Sequence, residues 1–384
     1  MAIIKVPAAE TKYGFHDDYS EGAHPRVIEA MTRTNLIQQN SYGEDDYCNE
    51  ARQAILSLIG LDPAGAGLGD ERPSIPKIYF TPGGTGANLL AIASHLRPHE
   101  AIISAEPGHI VGKEGGAIEA TGHKVISVPA EAGKLTPSAI HEGYETAVAF
   151  AFQPRPKMVF LSNATEIGTV YTRQELEAVA RVCKDMGMML LMDGARLGAA
   201  LVSEKATAGG RDDQLSLEDI YRLTDVFWIG GTKNGVLLGE AIVIKDEVFG
   251  ADFPWHMKQR GQLLAKSRVL GIHFSTLLQS QEEGEGDLLF WELARHANAA
   301  AKEMSNALVG MGFQLWAETD SNQVFVIFEK DLVEELEEQF NFFVWEKLEN
   351  GGLVVRLLTS WATDLEQVRR FCRLVRAWKS KGEA

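Results

Sequence analysis

The chain has 384 residues, 45% of them hydrophobic, and a formal net charge of −16. That length accommodates two domains or one large α/β unit with a sizeable core. The acidic balance argues against nucleic acid or an anionic membrane as the main partner, since both select basic surfaces, and it leaves room for a local basic pocket. Cys48, Cys183 and Cys372 are widely spaced, with no CxxC pair or His–Cys cluster, so neither a disulfide framework nor structural zinc is expected. No run is long enough to cross a bilayer, and the first residues carry no apolar leader, so a soluble cytoplasmic protein is the expectation.

Taken in chain order, "PRVIEAMTRTN" and "NEARQAILSLIG" predict helices from apolar residues three and four apart. The Gly/Pro-rich stretch 61–76 reads as a surface loop. "KIYFTPGGTGANLLAIASHL" goes strand, glycine turn, helix; "AIISAEP" is a short strand and "GHIVGKEGGAIEATG" a helix. "HKVISVPA" and "PKMVFLSNAT" are strands, "TRQELEAVARVCKDMG" an amphipathic helix, and "MMLLMDGARLGAALVS" a buried strand entering a polar turn. "DVFWIGGTKNGVLLGEAIVI" reads as two core strands, the second from Val236, wrapped around Lys233. Such alternation predicts an α/β fold: a large domain with a mainly parallel, seven-stranded-type sheet flanked by helices. Beyond about Phe253 the pattern changes. "WHMKQRGQLLAKSRVLGIHFSTLLQSQ" and "DLLFWELARHANAAAKEMSNALVGMG" read as long helices. "QLWAET", "NQVFVIFE" and "LVVRLLTSW" read as strands, with helices between and after them. The expected division is an N-terminal segment, 1–25, packing on the small domain; a large domain, 26–262; and a smaller C-terminal α+β domain, 263–384.

Sites in parallel sheets gather beyond the carboxyl ends of strands. Gly84-Thr85, His109, Glu166, Asp193 and Lys233 all fall just after apolar runs. "TPGGTGANLL" suits an anion held by backbone N–H groups at a helix start, or a tight turn that needs glycine for positive φ. Asp193 suits an ion pair with Arg196 or a helix cap; His109 alone suits a structural role, and Glu114 a solvated helix face. Lys233 between two core strands is costly unless it reaches solvent or its nitrogen is held for chemistry. In combination the order matches what a pyridoxal-phosphate enzyme needs: a phosphate turn, a ring-covering side chain, a carboxylate for the pyridine nitrogen and a lysine for the aldehyde.

With "NSYGEDDY", "GGTGAN", "EPGHIVGKEGG", "SNATEIGTVYT", "MDGARLGAAL", "GGTKNG" and "VRLLTSW" in this order, the chain resembles the threonine aldolase branch of the β-eliminating lyases, within the aspartate-aminotransferase-like fold. The resemblance implies pyridoxal 5′-phosphate, with Lys233 as the Schiff-base lysine, Asp193 on the pyridine nitrogen and His109 over the ring. It implies that Gly84, Thr85 and Gly86 hold the phosphate, and that Arg196 and Arg356 bind the substrate carboxylate. It further implies a homodimer or homotetramer in which Lys258 reaches a neighbouring site's phosphate. Two departures stand out. Where many relatives carry a serine near the N-terminus, this chain has His16 and Asp17, and Glu166 replaces a histidine, as a base or as a partner of the cofactor's ring oxygen. The implied activity is cleavage of the Cα–Cβ bond of a β-hydroxy-α-amino acid such as threonine. The alternatives are β-elimination from an aromatic or sulfur amino acid, or a relative that binds the cofactor without turnover.

Overall fold

The computed structural model describes residues 12–61, 75–208, 213–282 and 285–382; most of the loop expected at 61–76 and the first eleven residues lie outside them. The apolar runs form a seven-stranded sheet. Its strands are β1 (Lys77–Thr81), β2 (Glu100–Ala105), β3 (Lys124–Val128), β4 (Arg155–Ser162), β5 (Met189–Asp193), β6 (Val226–Gly230) and β7 (Glu240–Ile244). The spatial order is β1-β7-β6-β5-β4-β2-β3, and only β7 runs against its neighbours. Strands β5 to β7 are almost fully buried, as a sheet covered on both faces requires. Apolar clusters lie on both sides, one around Ile103, Leu161 and Phe227, the other around Phe160, Trp228 and Ile242.

A second sheet of three antiparallel strands holds β8 (Gln323–Phe328), β10 (Leu353–Leu358) in the centre, and β9 (Phe343–Lys347). It packs with the helices Leu289–Gly310 and Leu365–Gly382 around Phe328, Phe371 and Met304. The N-terminal segment joins this core. Tyr13–Gly14 pairs with Phe340–Asn341, and Phe15 is fully buried against Phe340 and Phe371.

Several local expectations change. The helix expected over "GHIVGKEGGAIEATG" is one turn, His109–Gly112, and a short 3-10 turn at Glu119–Thr121, because Gly115 and Gly116 take φ of +62° and +75°. The long helix expected from Trp255 is two, Glu247–Gln259 and Arg268–Leu277; in the break Gln262 turns inward, 3.0 Å from the Thr81 hydroxyl. The second helix sends Leu270, Phe274 and Leu277 into the core of the large sheet. "QLWAET" contributes a single bridge, Leu315 to Val326, and the strand expected from Val236 begins at Glu240. Strand β9 is additional to the strands predicted in this region; its sequence, FVWEK, does not alternate apolar and polar residues.

Candidate active site

Six chain segments converge at one edge of the large sheet, around a cavity of about 400 Å³. Because β7 is reversed, its first residue, Glu240, lies at the same edge as the last residues of the parallel strands. A larger cleft, of about 590 Å³, lies between β3 and the helix Pro137–Val148, but Lys124 and Glu142 are its only charged groups.

Lys233 follows β6 and lines the cavity. Burial lowers its pKa, as does Arg196, while Asp18, Asp193 and Glu240 pull it back. Among the described residues its ammonium makes no hydrogen bond or ion pair, and it lies 5.8 Å from the centre of the Tyr19 ring. The loop itself is firmly held. Glu240 Oε2 accepts from the Gly231 N–H at 3.0 Å, and Oε1 accepts from the Thr232 hydroxyl at 2.8 Å. Burial pushes the Glu240 carboxyl up to about 7.

Asp193 ends β5. Its Oδ1 accepts from the Ala195 N–H at 2.9 Å, and its Oδ2 from the Asn88 amide at 2.9 Å. That same amide nitrogen donates to Glu114 Oε1 at 2.7 Å, and the Asn88 oxygen accepts from Trp228 Nε1 at 2.9 Å. Glu114 in turn binds His109 Nδ1 at 2.8 Å. A carboxylate on Nδ1 fixes the proton there and leaves Nε2 as the basic nitrogen. Asn88 therefore joins Asp193 to His109 through one buried amide. Glu114 is buried, contrary to the solvated face expected for it.

Glu166, after β4, is buried, which raises its pKa. Its Oε1 accepts from the Ser162 hydroxyl at 2.7 Å and from the His109 N–H at 2.8 Å, so it anchors the His109 turn. On the opposite wall the helix Gly84–His95 starts at Gly83 with no side-chain cap, so its first N–H groups lack intrahelical partners. Positive φ is not the reason for the glycines here. A Cβ on Gly84 would meet the Trp228 ring at 3.0 Å, and one on Gly86 would meet Gln262 Oε1 at 2.5 Å, so close approach is what selects them. Gly84 and Thr85 line the cavity; Gly86 faces Gln262 instead.

Arg196 also lines the cavity, but its charge is matched. Asp18 accepts from its Nε at 2.6 Å and from its Nη2 at 3.0 Å, and Asn322 adds a bond of 2.9 Å to Asp18. Asp17, singled out from the sequence, instead accepts from Tyr19 N–H and the Ser20 hydroxyl, and His16 is half exposed beside it. Burial alone would raise the Asp18 pKa; Arg196 and Lys233 outweigh it and hold the carboxyl below its usual value. Asp18→Ala should therefore destabilise the fold by about 3–5 kcal/mol at neutral pH, because it strands a buried guanidinium. A depressed carboxyl stabilises above its unfolded pKa, so the wild-type advantage should shrink as pH falls below about 4. Urea unfolding of both proteins from neutral pH down to acid checks this.

Arg356 sits on the central strand β10, opposite Phe325 and Phe343. It is absent from the cavity wall, yet near enough to Arg196, Asp18 and Tyr19 to feel their charges. Its Nε is buried with no hydrogen-bond partner among the described residues. Lys258 lies outside this cavity, with its ammonium 4.4 Å from the Tyr42 ring centre. Lys113, which the sequence did not single out, does line the cavity; it is exposed at the cavity mouth, and partial desolvation there brings its amine down to about 8.

The family model described as Beta-eliminating lyase matches residues 17–331. A low-specificity L-threonine aldolase of Pseudomonas aeruginosa is 32% identical over 370 residues, covering 94% of this chain and 96% of its own. The structure of a Leishmania major threonine aldolase superposes with a TM-score of 0.85 at 38% identity, over 95% of this chain and 99% of that one. An aspartate aminotransferase of Thermus thermophilus shares the fold alone, with a TM-score of 0.65 at 17% identity over 95% of this chain and 91% of its own. The chain belongs to the beta-eliminating lyase family, and within it resembles the threonine aldolases.

Proposed function

We propose that the cavity binds pyridoxal 5′-phosphate and that the protein cleaves the Cα–Cβ bond of a β-hydroxy-α-amino acid, releasing glycine and an aldehyde. The observation that carries this reading is the meeting of Lys233, Asp193, His109 and an uncapped helix start in one cavity of about 400 Å³. The donor set suits the group. The N–H groups of Gly84, Thr85 and Gly86 fit a phosphate, Asp193 fits a protonated pyridine nitrogen, and the desolvated amine of Lys233 fits an aldehyde. When bound, the cofactor supplies an electron sink for the pair left on Cα.

The remaining roles belong to the chain. Burial keeps more of Lys233 in its neutral, nucleophilic form. Arg356, with an unsatisfied Nε, takes the substrate carboxylate, while Arg196, fixed by Asp18, presents its remaining N–H groups to the same end. His109 Nε2 accepts the β-hydroxyl proton, and Glu114 steadies the charge that follows. Glu166 positions His109. Lys258 serves the phosphate of a second copy: it lies outside its own cavity, and Trp255 on the same helix is 72% exposed.

Purified protein supplied with the cofactor and then with L-threonine or L-phenylserine should release glycine. Pyruvate and ammonia in place of glycine would favour β-elimination, and silence with every β-hydroxy amino acid sinks the reading.

A further inference from the structure

The cations at this edge are not evenly matched. Arg196 is neutralised by Asp18, and Lys233, unpaired among the described residues, is the amine that the proposed reading assigns to the cofactor's aldehyde. Lys113 and Arg356 likewise form no ion pair among the described residues, and both rest on one indole. The Lys113 ammonium is 4.2 Å from the Trp345 ring centre and the Arg356 guanidinium 5.4 Å, with Phe343 5.3 Å from Arg356 as well. An aromatic face holds a cation in place without cancelling its charge or occupying its N–H groups. The carboxylate that most influences Lys113 is Glu166, and both donors on its Oε1 come from elsewhere, from Ser162 and from His109. Lys113 opens onto the cavity with its donors available. An amino-acid substrate brings one carboxylate, which Arg356 can take. One cation remains.

We propose that Lys113 is a specificity-determining residue that binds a second carboxylate on the substrate's β-carbon, so that the preferred substrates are acidic β-hydroxy-α-amino acids rather than threonine. The inference rests on reading the cavity as the amino-acid site. With β-hydroxyaspartate the step balances without any oxidant. The Cα–Cβ bond breaks, the β-hydroxyl loses its proton and its oxygen becomes the aldehyde oxygen of glyoxylate, and Cα takes up a proton to give glycine. The second carboxylate stays on the departing fragment, where Lys113 holds it.

Two measurements on the holoenzyme test this. The first is kcat/KM for β-hydroxyaspartate, as a mixture of stereoisomers, against L-threonine. The second is binding of L-aspartate against L-alanine, read from the cofactor's absorbance; both lack the β-hydroxyl and cannot be cleaved. Wild type should favour the acidic member of each pair. In Lys113→Met each ratio should fall by about 10- to 100-fold, the range for one charge-assisted hydrogen bond, and Lys113→Arg should keep most of it. A wild-type preference for the neutral member, or equal losses for both members in Lys113→Met, overturns the proposal. If Lys113→Met fails to fold, the wild-type ratios and Lys113→Arg still decide. If glycine never forms but aspartate binds better than alanine in a Lys113-dependent way, the cleavage reading fails and the acidic subsite stands.

Discussion

Lys233→Met should lose at least on the order of 10⁴-fold in glycine release while keeping its fold, because a side chain of similar volume replaces the one amine placed to join an aldehyde. The absorbance band of the lysine-linked cofactor should vanish with it, which separates loss of the covalent link from loss of binding. The substitution also removes a cation that lowers the pKa of both Asp18 and Glu240. Glu240, already pushed up to about 7, should then titrate higher still. A carboxyl with a raised folded pKa costs stability once pH exceeds its unfolded value, so the variant should be relatively less stable at alkaline pH than at pH 5 to 6. Thermal unfolding across that range reads the effect. Glycine release within about tenfold of wild type would remove Lys233 from the reaction.

Asn88→Asp should be strongly damaging although it is isosteric. The amide nitrogen of Asn88 donates to Glu114 at 2.7 Å and to Asp193 at 2.9 Å, and a carboxylate oxygen in its place would face two acceptors. Both acceptors and Asn88 itself are buried. Uncompensated buried charge of this kind costs about 3–5 kcal/mol. The new carboxyl escapes part of that by staying protonated, so its folded pKa is raised above the unfolded one. Destabilisation should therefore be largest at high pH and recede as pH falls through the folded pKa. Activity should fall as well, because the proton on His109 Nδ1 and the orientation of Asp193 depend on the same amide. Chemical unfolding at pH 5.5 and 8.5, with glycine release alongside, measures both. Equal stability at the two pH values would mean that the network relaxes without Asn88.

The strands and the order of the functional turns were legible in the sequence, because buried parallel strands are written as apolar runs and the chain leaves each run at the sheet edge where ligands bind. Lys233, Asp193, His109, Glu166 and Gly84-Thr85 all reach one cavity from such positions. The role of the glycine turn was only half legible. "GGTGAN" announces a helix start, but the partners that exclude a Cβ, Trp228 and Gln262, come from segments more than a hundred residues away.

What the sequence by itself determined is the alternation of elements, the register of apolar faces and the set of reactive groups beyond the strand ends, since these depend on residues near one another in the chain. Only the tertiary structure decided how those groups are tuned. It chose Asp18 over Asp17 as the partner of Arg196, through an extended segment fixed by Phe15 and Asn322. It buried Glu114 beside His109, put Asn88 between two carboxylates, and by reversing a single strand set Glu240 against Gly231 and Thr232, just before Lys233. It also brought Trp345 from the small sheet under Lys113, which follows the His109–Gly112 turn. Polar residues have no periodic signature, and their charge states follow from burial and from partners distant in sequence, which exist only once the chain has closed on itself.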